Sequence, residues 1–244
     1  MNLHIYSTPD EVIGKMAEFM VSTLNDVINK KGICHLVLTG GNSPKKLYEL
    51  LASSLFRNEV SWDNVFFYFG DERYVPFYHK DNNGRMVKEC FFDPLNISHD
   101  HIFYMDTTFP PDISAQNYEE AIRRNLGSSY PVFDLILLGL GDNAHTASLF
   151  PGTPVLHESA ASVKAVFLQD QQVYRITMTA PLINRANAIA FLVFGQIKAD
   201  AVYEVLKGGK NIDLYPAQLI HSIKGTTDWF LDMEAVKLLA NEKK

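Results

Sequence analysis

His35-Leu36-Val37-Leu38-Thr39-Gly40-Gly41-Asn42-Ser43-Pro44 carries the fold of this chain in ten residues. An apolar run too short for a helix stops at paired glycines, and a helix bearing Leu47, Leu50 and Leu51 at helical spacing follows at once. Strand, glycine turn and helix in direct succession form half of a βαβ unit. The same alternation extends in both directions. Upstream, Thr8-Pro9-Asp10-Glu11 predicts a helix start, with Thr8 as N-cap, Pro9 in the first turn and Glu11 completing a capping box. Val12, Met16, Phe19, Met20, Leu24, Val27 and Ile28 continue that helix, and Gly32 ends it.

Downstream, strands are predicted at Val65–Phe69, at Phe133-Asp134-Leu135-Ile136-Leu137-Leu138-Gly139, at Tyr174–Thr179 and at Ala188–Phe194. Helices are predicted over Gly84–Phe92, Pro111–Asn125, Ile197–Leu206 and Asp232–Ala240. Apolar strands alternating with helices imply an α/β three-layer sandwich, a mostly parallel sheet with helices on both faces. No repeat or linker interrupts the pattern, so residues 1–244 are expected to form a single domain.

The chain has 244 residues, 47% of them hydrophobic and 20% charged, enough for a full core and too few charges for disorder. No apolar run is long enough to span a bilayer, and Met1–Tyr6 lacks the basic-then-apolar order of a signal peptide. Two cysteines, Cys34 and Cys90, read as reduced and buried, which points to the cytoplasm. A net charge of −6 without a basic run argues against nucleic acid as a partner. A small anion bound by a few local cations remains compatible with it.

Three polar clusters follow predicted strands, where open parallel sheets collect their ligands. Gly40 and Gly41 allow a close backbone approach to an anion at a helix start, and Ser43 caps that helix, donates to the anion, or does both. A tight turn without a ligand fits the same residues. The stretch is neither a P-loop nor a dinucleotide fingerprint. Gly70-Asp71-Glu72-Arg73-Tyr74-Val75-Pro76 reads either as acid/base equipment or as a solvated loop with an ion pair. Asp81-Asn82-Asn83-Gly84-Arg85 offers amides to sugar hydroxyls, and is also ordinary turn chemistry.

The third cluster, Gly139 to Pro151, ends the most hydrophobic strand and places His145 at the rim of the sheet. A histidine there can take a proton from water, with Asn143 or Asp142 near enough to orient it. His99-Asp100-His101 does not have zinc-site spacing, and no Gly-x-Ser-x-Gly elbow is present.

In this order the clusters resemble the 6-phosphogluconolactonases, within the superfamily that includes the glucosamine-6-phosphate deaminases. The resemblance covers nearly the whole chain. It rests on Leu38-Thr39-Gly40-Gly41 with Ser43-Pro44, on Gly70-Asp71-Glu72-Arg73 with Val75-Pro76, and above all on His145 through Gly152. Arg175-Ile176-Thr177, Gly195-x-x-Lys198-Ala199, Pro216-Ala217 and Trp229-Phe230-Leu231-Asp232 reinforce it.

The resemblance implies hydrolysis of 6-phospho-D-glucono-1,5-lactone to 6-phosphogluconate, the second step of the oxidative pentose phosphate pathway, without metal or organic cofactor. It casts His145 as the base that activates water, Arg73 as the cation beside the developing oxyanion, and Asp71 as the holder of local geometry. It places the phosphate on Gly40, Gly41 and Ser43, clamped by Arg175 and Lys198. Deaminase chemistry wants a glutamate shortly after the motif histidine, and Thr146 to Phe150 contain no acid. The family carries Asp-Gly where this chain has Asn143-Ala144. Asn143 can accept a hydrogen bond from His145 but supplies no negative charge, a change that would also suit a weakened sugar-phosphate-binding protein. Ala144 lacks the freedom of glycine at positive φ.

Overall fold

A computed structural model describes residues 1–239 of the chain. The first strand, β1 (Asn2–Tyr6), leads into helix α1 (Pro9–Lys31), and β2 (Cys34–Leu38) into α2 (Asn42–Leu51). β3 (Val65–Phe69) and β4 (Asp71–Arg73) are separated only by Gly70, and α3 (Asn83–Val87) follows. After the helix Pro111–Asn125 come β5 (Leu135–Leu138), β6 (Val163–Leu168), β7 (Val173–Met178) and β8 (Ala188–Val193). The helix Ala199–Leu206 and β9 (Thr226–Asp232) follow, with several short helical turns between the elements named.

Six strands form one sheet in the order β1-β9-β8-β5-β2-β3, every neighbouring pair parallel. Every residue of β2, β5 and β8 is buried, which is why these strands read as unbroken apolar runs rather than as alternating ones. Helices on both faces make this the three-layer α/β sandwich expected from the sequence. Aromatic packing fills the layers. Phe191 stacks on Trp229 with ring centroids 3.9 Å apart, and Phe67 of β3 meets Phe91 and Phe92 edge-on.

The start of α1 is built as expected: Thr8 Oγ1 accepts from the Glu11 N–H at 3.2 Å, and Gly32 forms the left-handed C-cap. The Glu11 carboxylate reaches back to the Ser7 N–H rather than to that of Thr8. The predicted helix over Gly84–Phe92 begins at Asn83 and continues past Val87 through one π-type turn, Lys88–Phe92. Pro111–Asn125 is helical over its predicted length.

Two expectations are corrected. Tyr174–Thr179 does not extend the parallel sheet. It belongs to β7, the centre of a separate three-stranded antiparallel sheet in the order β4-β7-β6. A period-two strand looks alike in either sheet, so the sequence alone did not separate them. The helix expected from Asp232 does not form. Asp232 closes β9 with its carboxylate buried, accepting the N–H groups of Gly195 at 3.0 Å and Ala235 at 2.8 Å, and residues 233–239 turn. The expected end of that helix, Ala240, lies outside the described residues.

Candidate active site

The sheet reverses its order of growth between β2 and β5. From β2 the chain adds β3 on one side, while β5, β8 and β9 build outward on the other. The loops leaving β2 and β5 therefore diverge and leave a crevice at their carboxyl ends, the position where α/β sheets bind ligands. A cleft of about 380 Å³ opens there. Gly40, Gly41, Ser43, Asp71, Arg73, His145, Arg175 and Lys198 all line it. Of the site residues proposed from sequence only Asn143 stands off the wall, behind His145.

The β2 loop is held by Tyr48 of α2, whose buried hydroxyl accepts the Thr39 N–H at 3.0 Å and donates to the Thr39 carbonyl at 2.8 Å. Gly41 is the N-cap of α2, and Ser43 lies within the first turn. Ser43 makes no capping bond, so of its two suggested roles the capping one is excluded. Gly40 faces Asn83 so closely that a Cβ would fall 1.8 Å from Asn83 Oδ1. Asn83 in turn donates to the Asp71 carbonyl at 3.0 Å, tying the glycine loop to the acidic strand.

At Gly70 the chain leaves one sheet for the other, because the Met178 N–H bonds the Gly70 carbonyl. Asp71 to Arg73 are therefore a strand, β4, and not the loop their charges suggested. Asp71 is buried and accepts from Ser148 Oγ at 2.7 Å, which pins the acidic strand to the His145 loop. Arg73 pairs in register with Arg175 across the antiparallel ladder, two like charges directly opposite. Arg73 Nη1 also donates to the Asp81 carbonyl at 2.8 Å.

Glu72, on the opposite face, is 2% exposed and accepts three backbone N–H groups, from Arg73, Asn83 and Gly84, at 2.7–2.8 Å. Burial pushes its carboxyl up to about 7 despite those bonds. It fastens β4 to the start of α3.

His145 sits on a loop of unusual backbone. Ala144 adopts φ 60° and Ala147 φ 47°, left-handed values that cost a residue with a Cβ roughly 1 kcal/mol each. The Gly141 N–H bonds the His145 carbonyl at 2.8 Å, and a Cβ on Gly141 would strike His145 Nδ1 at 2.0 Å. Phe150 stacks on the imidazole at 4.1 Å.

Asn143 Oδ1 accepts from the His145 backbone N–H at 3.2 Å and lies 2.5 Å from His145 Nδ1. The backbone donor identifies the facing atom as the amide oxygen, so Nδ1 carries the proton. Nε2 has no protein partner among the described residues and presents its lone pair as a base. Burial foremost, with the charges of Lys198 and Arg175, pushes His145 down to about 4 against the opposing charges of Asp71 and Asp142.

Two cations face the same space, and neither forms an ion pair among the described residues, though Asp71, Glu72 and Asp81 act on Arg175 and Asp142 on Lys198. Arg175 Nε is buried without a hydrogen-bond partner, and desolvation followed by the charge of Arg73 lowers its pKa. Desolvation lowers that of Lys198 as well. Sequence reasoning did not single out Glu72, Ser148, Phe150 or Gln171. The first three lie inside quoted motifs, and only their hydrogen bonds and ring contact separate them from their neighbours. Gln171 lies outside every motif and carries no sequence signal. Among the described residues no three His, Cys, Asp or Glu side chains cluster as metal ligands, and no helix is long and apolar enough to cross a membrane.

The pattern of the family described as glucosamine-6-phosphate isomerases/6-phosphogluconolactonase matches residues 7–229. A 6-phosphogluconolactonase from Synechocystis is 39% identical over 220 residues, covering 88% of this chain and 89% of that protein. One from Haemophilus influenzae is 34% identical over 241 residues, covering 98% of this chain and 100% of that protein. The crystal structure of the Thermotoga maritima 6-phosphogluconolactonase superposes with a TM-score of 0.82 at 27% identity, covering 95% of this chain and 99% of that one.

Proposed function

Because the chain belongs to the family of glucosamine-6-phosphate isomerases and 6-phosphogluconolactonases, we infer that it is a hydrolase converting 6-phospho-D-glucono-1,5-lactone to 6-phosphogluconate. The observation that carries this reading is the neutral, oriented imidazole of His145, its Nδ1 proton on Asn143 and its Nε2 free beside two cations that form no ion pair among the described residues.

A water held by Nε2 gives up a proton as its oxygen attacks the lactone carbonyl carbon. The carbonyl oxygen becomes an oxyanion, and Arg73 supplies the compensating charge. Collapse of the tetrahedral adduct breaks the bond from the carbonyl carbon to the ring oxygen. The imidazolium returns its proton to that oxygen, leaving a hydroxyl and a carboxylic acid that ionises at neutral pH. Asp71, fixed by Ser148, sits near enough to stabilise the imidazolium electrostatically. Asn143 contributes orientation and no charge.

Gly40, Gly41 and Ser43 receive the phosphate, with Arg175 and Lys198 as its counter-charges. Lining residues come from the parallel sheet and from the small antiparallel one alike, which supports a single working domain. The free, buried cysteines Cys34 and Cys90 support a reducing, cytoplasmic setting. The test is acid release from freshly generated 6-phosphogluconolactone, above the spontaneous rate and in the presence of chelator. Turnover of glucosamine 6-phosphate in its place would move the chain to the other branch of the family.

A further inference from the structure

The hairpin joining β6 to β7 turns through Gln169-Asp170-Gln171-Gln172, and its tip reaches the rim of the cleft. Gln171 Oε1 accepts a hydrogen bond of 3.2 Å from Arg175 Nη2. Gln171, Arg73 and Arg175 line the cleft and also a second groove of about 430 Å³, which continues outward past Tyr74, Asp81 and Tyr174. These three residues border both spaces.

Arg175 has few restraints of its own. Its Nε is buried without a partner, Arg73 repels it from the facing strand while Asp71, Glu72 and Asp81 attract it without forming an ion pair, and Gln171 provides its hydrogen bond to a neighbouring side chain. The chemistry of that acceptor matters. A carboxylate at this position would pair with the guanidinium and compete with a phosphate for it. An apolar side chain would leave the arginine free to follow solvent into the outer groove. A neutral amide restrains the guanidinium and leaves its charge intact.

We propose that Gln171 is a positioning residue: its amide holds the Arg175 guanidinium at the border of the cleft with its full charge available, and so sets the affinity for the phosphate of the substrate. This rests on the assignment of Arg175 to the phosphate. The restraint acts on binding that is the same in ground and transition states, so it shows in KM and not in kcat.

The experiment measures kcat and KM for 6-phosphogluconolactone, and Kd for 6-phosphogluconate by calorimetry, in Gln171→Ala, Gln171→Glu, Arg175→Ala and the double variant Gln171→Ala/Arg175→Ala. Gln171 is an exposed hairpin residue, so its replacement is compatible with folding. Gln171→Glu raises KM and Kd roughly tenfold or more, Gln171→Ala about threefold, and kcat stays within about twofold in both. In the Arg175→Ala background, Gln171→Ala has no further effect. If Arg175→Ala leaves KM and Kd unchanged, the phosphate assignment itself is wrong. If Arg175→Ala raises both, the inference about Gln171 alone is overturned by any of three results: silent Gln171 variants, variants that lower kcat, or an undiminished effect without Arg175.

Discussion

Asn143 Oδ1 and His145 Nδ1 are 2.5 Å apart, and the same oxygen accepts the His145 backbone N–H. One neutral side chain thus performs the orienting half of what a carboxylate would do at this position. Under the proposed mechanism the charge-stabilising half passes to Asp71 of β4, whose charge reaches the imidazole electrostatically. Replacing Asn143 with Asp adds a full charge at hydrogen-bond distance. Asn143→Asp is expected to raise kcat about three- to tenfold. Asn143→Ala, which frees the ring, is expected to lose about a hundredfold. Steady-state kinetics of both variants check this, and an unchanged rate in Asn143→Asp would show that the missing charge is no handicap.

The pH profile follows from burial. His145 is pushed down to about 4, so its basic form persists in the free enzyme at pH values where an ordinary histidine is protonated. The acid limb of kcat/KM is expected near pH 4. If the phosphate binds Lys198 and Arg175 as proposed, it offsets the two cations that lower His145, so the limb of kcat should lie at higher pH than that of kcat/KM. Coincident limbs near pH 6.5 would contradict both statements.

Two glycines that line the cleft, Gly40 and Gly141, are required by close approach rather than by φ. A Cβ on Gly141 meets His145 Nδ1 at 2.0 Å, so Gly141→Ala should displace the imidazole and lower kcat by about a hundredfold with KM little altered. A Cβ on Gly40 meets Asn83 Oδ1 at 1.8 Å, so Gly40→Ala should raise KM. The double variant Gly40→Ala/Asn83→Ala should recover part of that loss, because removing the amide restores the space. Measuring the three proteins side by side distinguishes this local clash from general damage to the loop.

Glu72 is the buried carboxylate that joins β4 to α3. Glu72→Gln retains one acceptor oxygen and turns an N–H donor toward backbone N–H groups. A loss of about 2 kcal/mol is expected, or a Tm lower by about 4–8 °C. KM should rise as well, since Arg73 and Asn83 share this anchor. A thermal melt with unchanged Tm would show that the three bonds contribute nothing net.

The main sheet was readable because its central strands are apolar on both faces, and β5 and β8 leave no competing period. The small sheet was not. β4 is three charged or polar residues, Asp71–Arg73, with no strand signature, and its place depends on pairing with β7 about a hundred residues away. β1 and β9 pair the two ends of the chain, a contact that no local pattern carries. The site followed the same division. His145, Arg73 and Arg175 lie in motifs, and the structure brings them to one cleft. That Arg73 faces Arg175 and that Ser148 bonds Asp71 are relations between segments far apart in the chain, and the Gln171–Arg175 bond depends on how the β6–β7 hairpin turns; none of the three carries a local sequence signal.

The central claim is that His145 Nε2 activates water on the lactone. The most direct test is the chelator-treated rate of 6-phosphogluconolactone hydrolysis by the wild-type protein and by His145→Ala, with Kd for 6-phosphogluconate measured in both. The account predicts wild-type hydrolysis far above the spontaneous rate, a fall of at least about a hundredfold in kcat in the variant, and a nearly unchanged Kd. Hydrolysis that persists in His145→Ala at a rate close to wild type would contradict it.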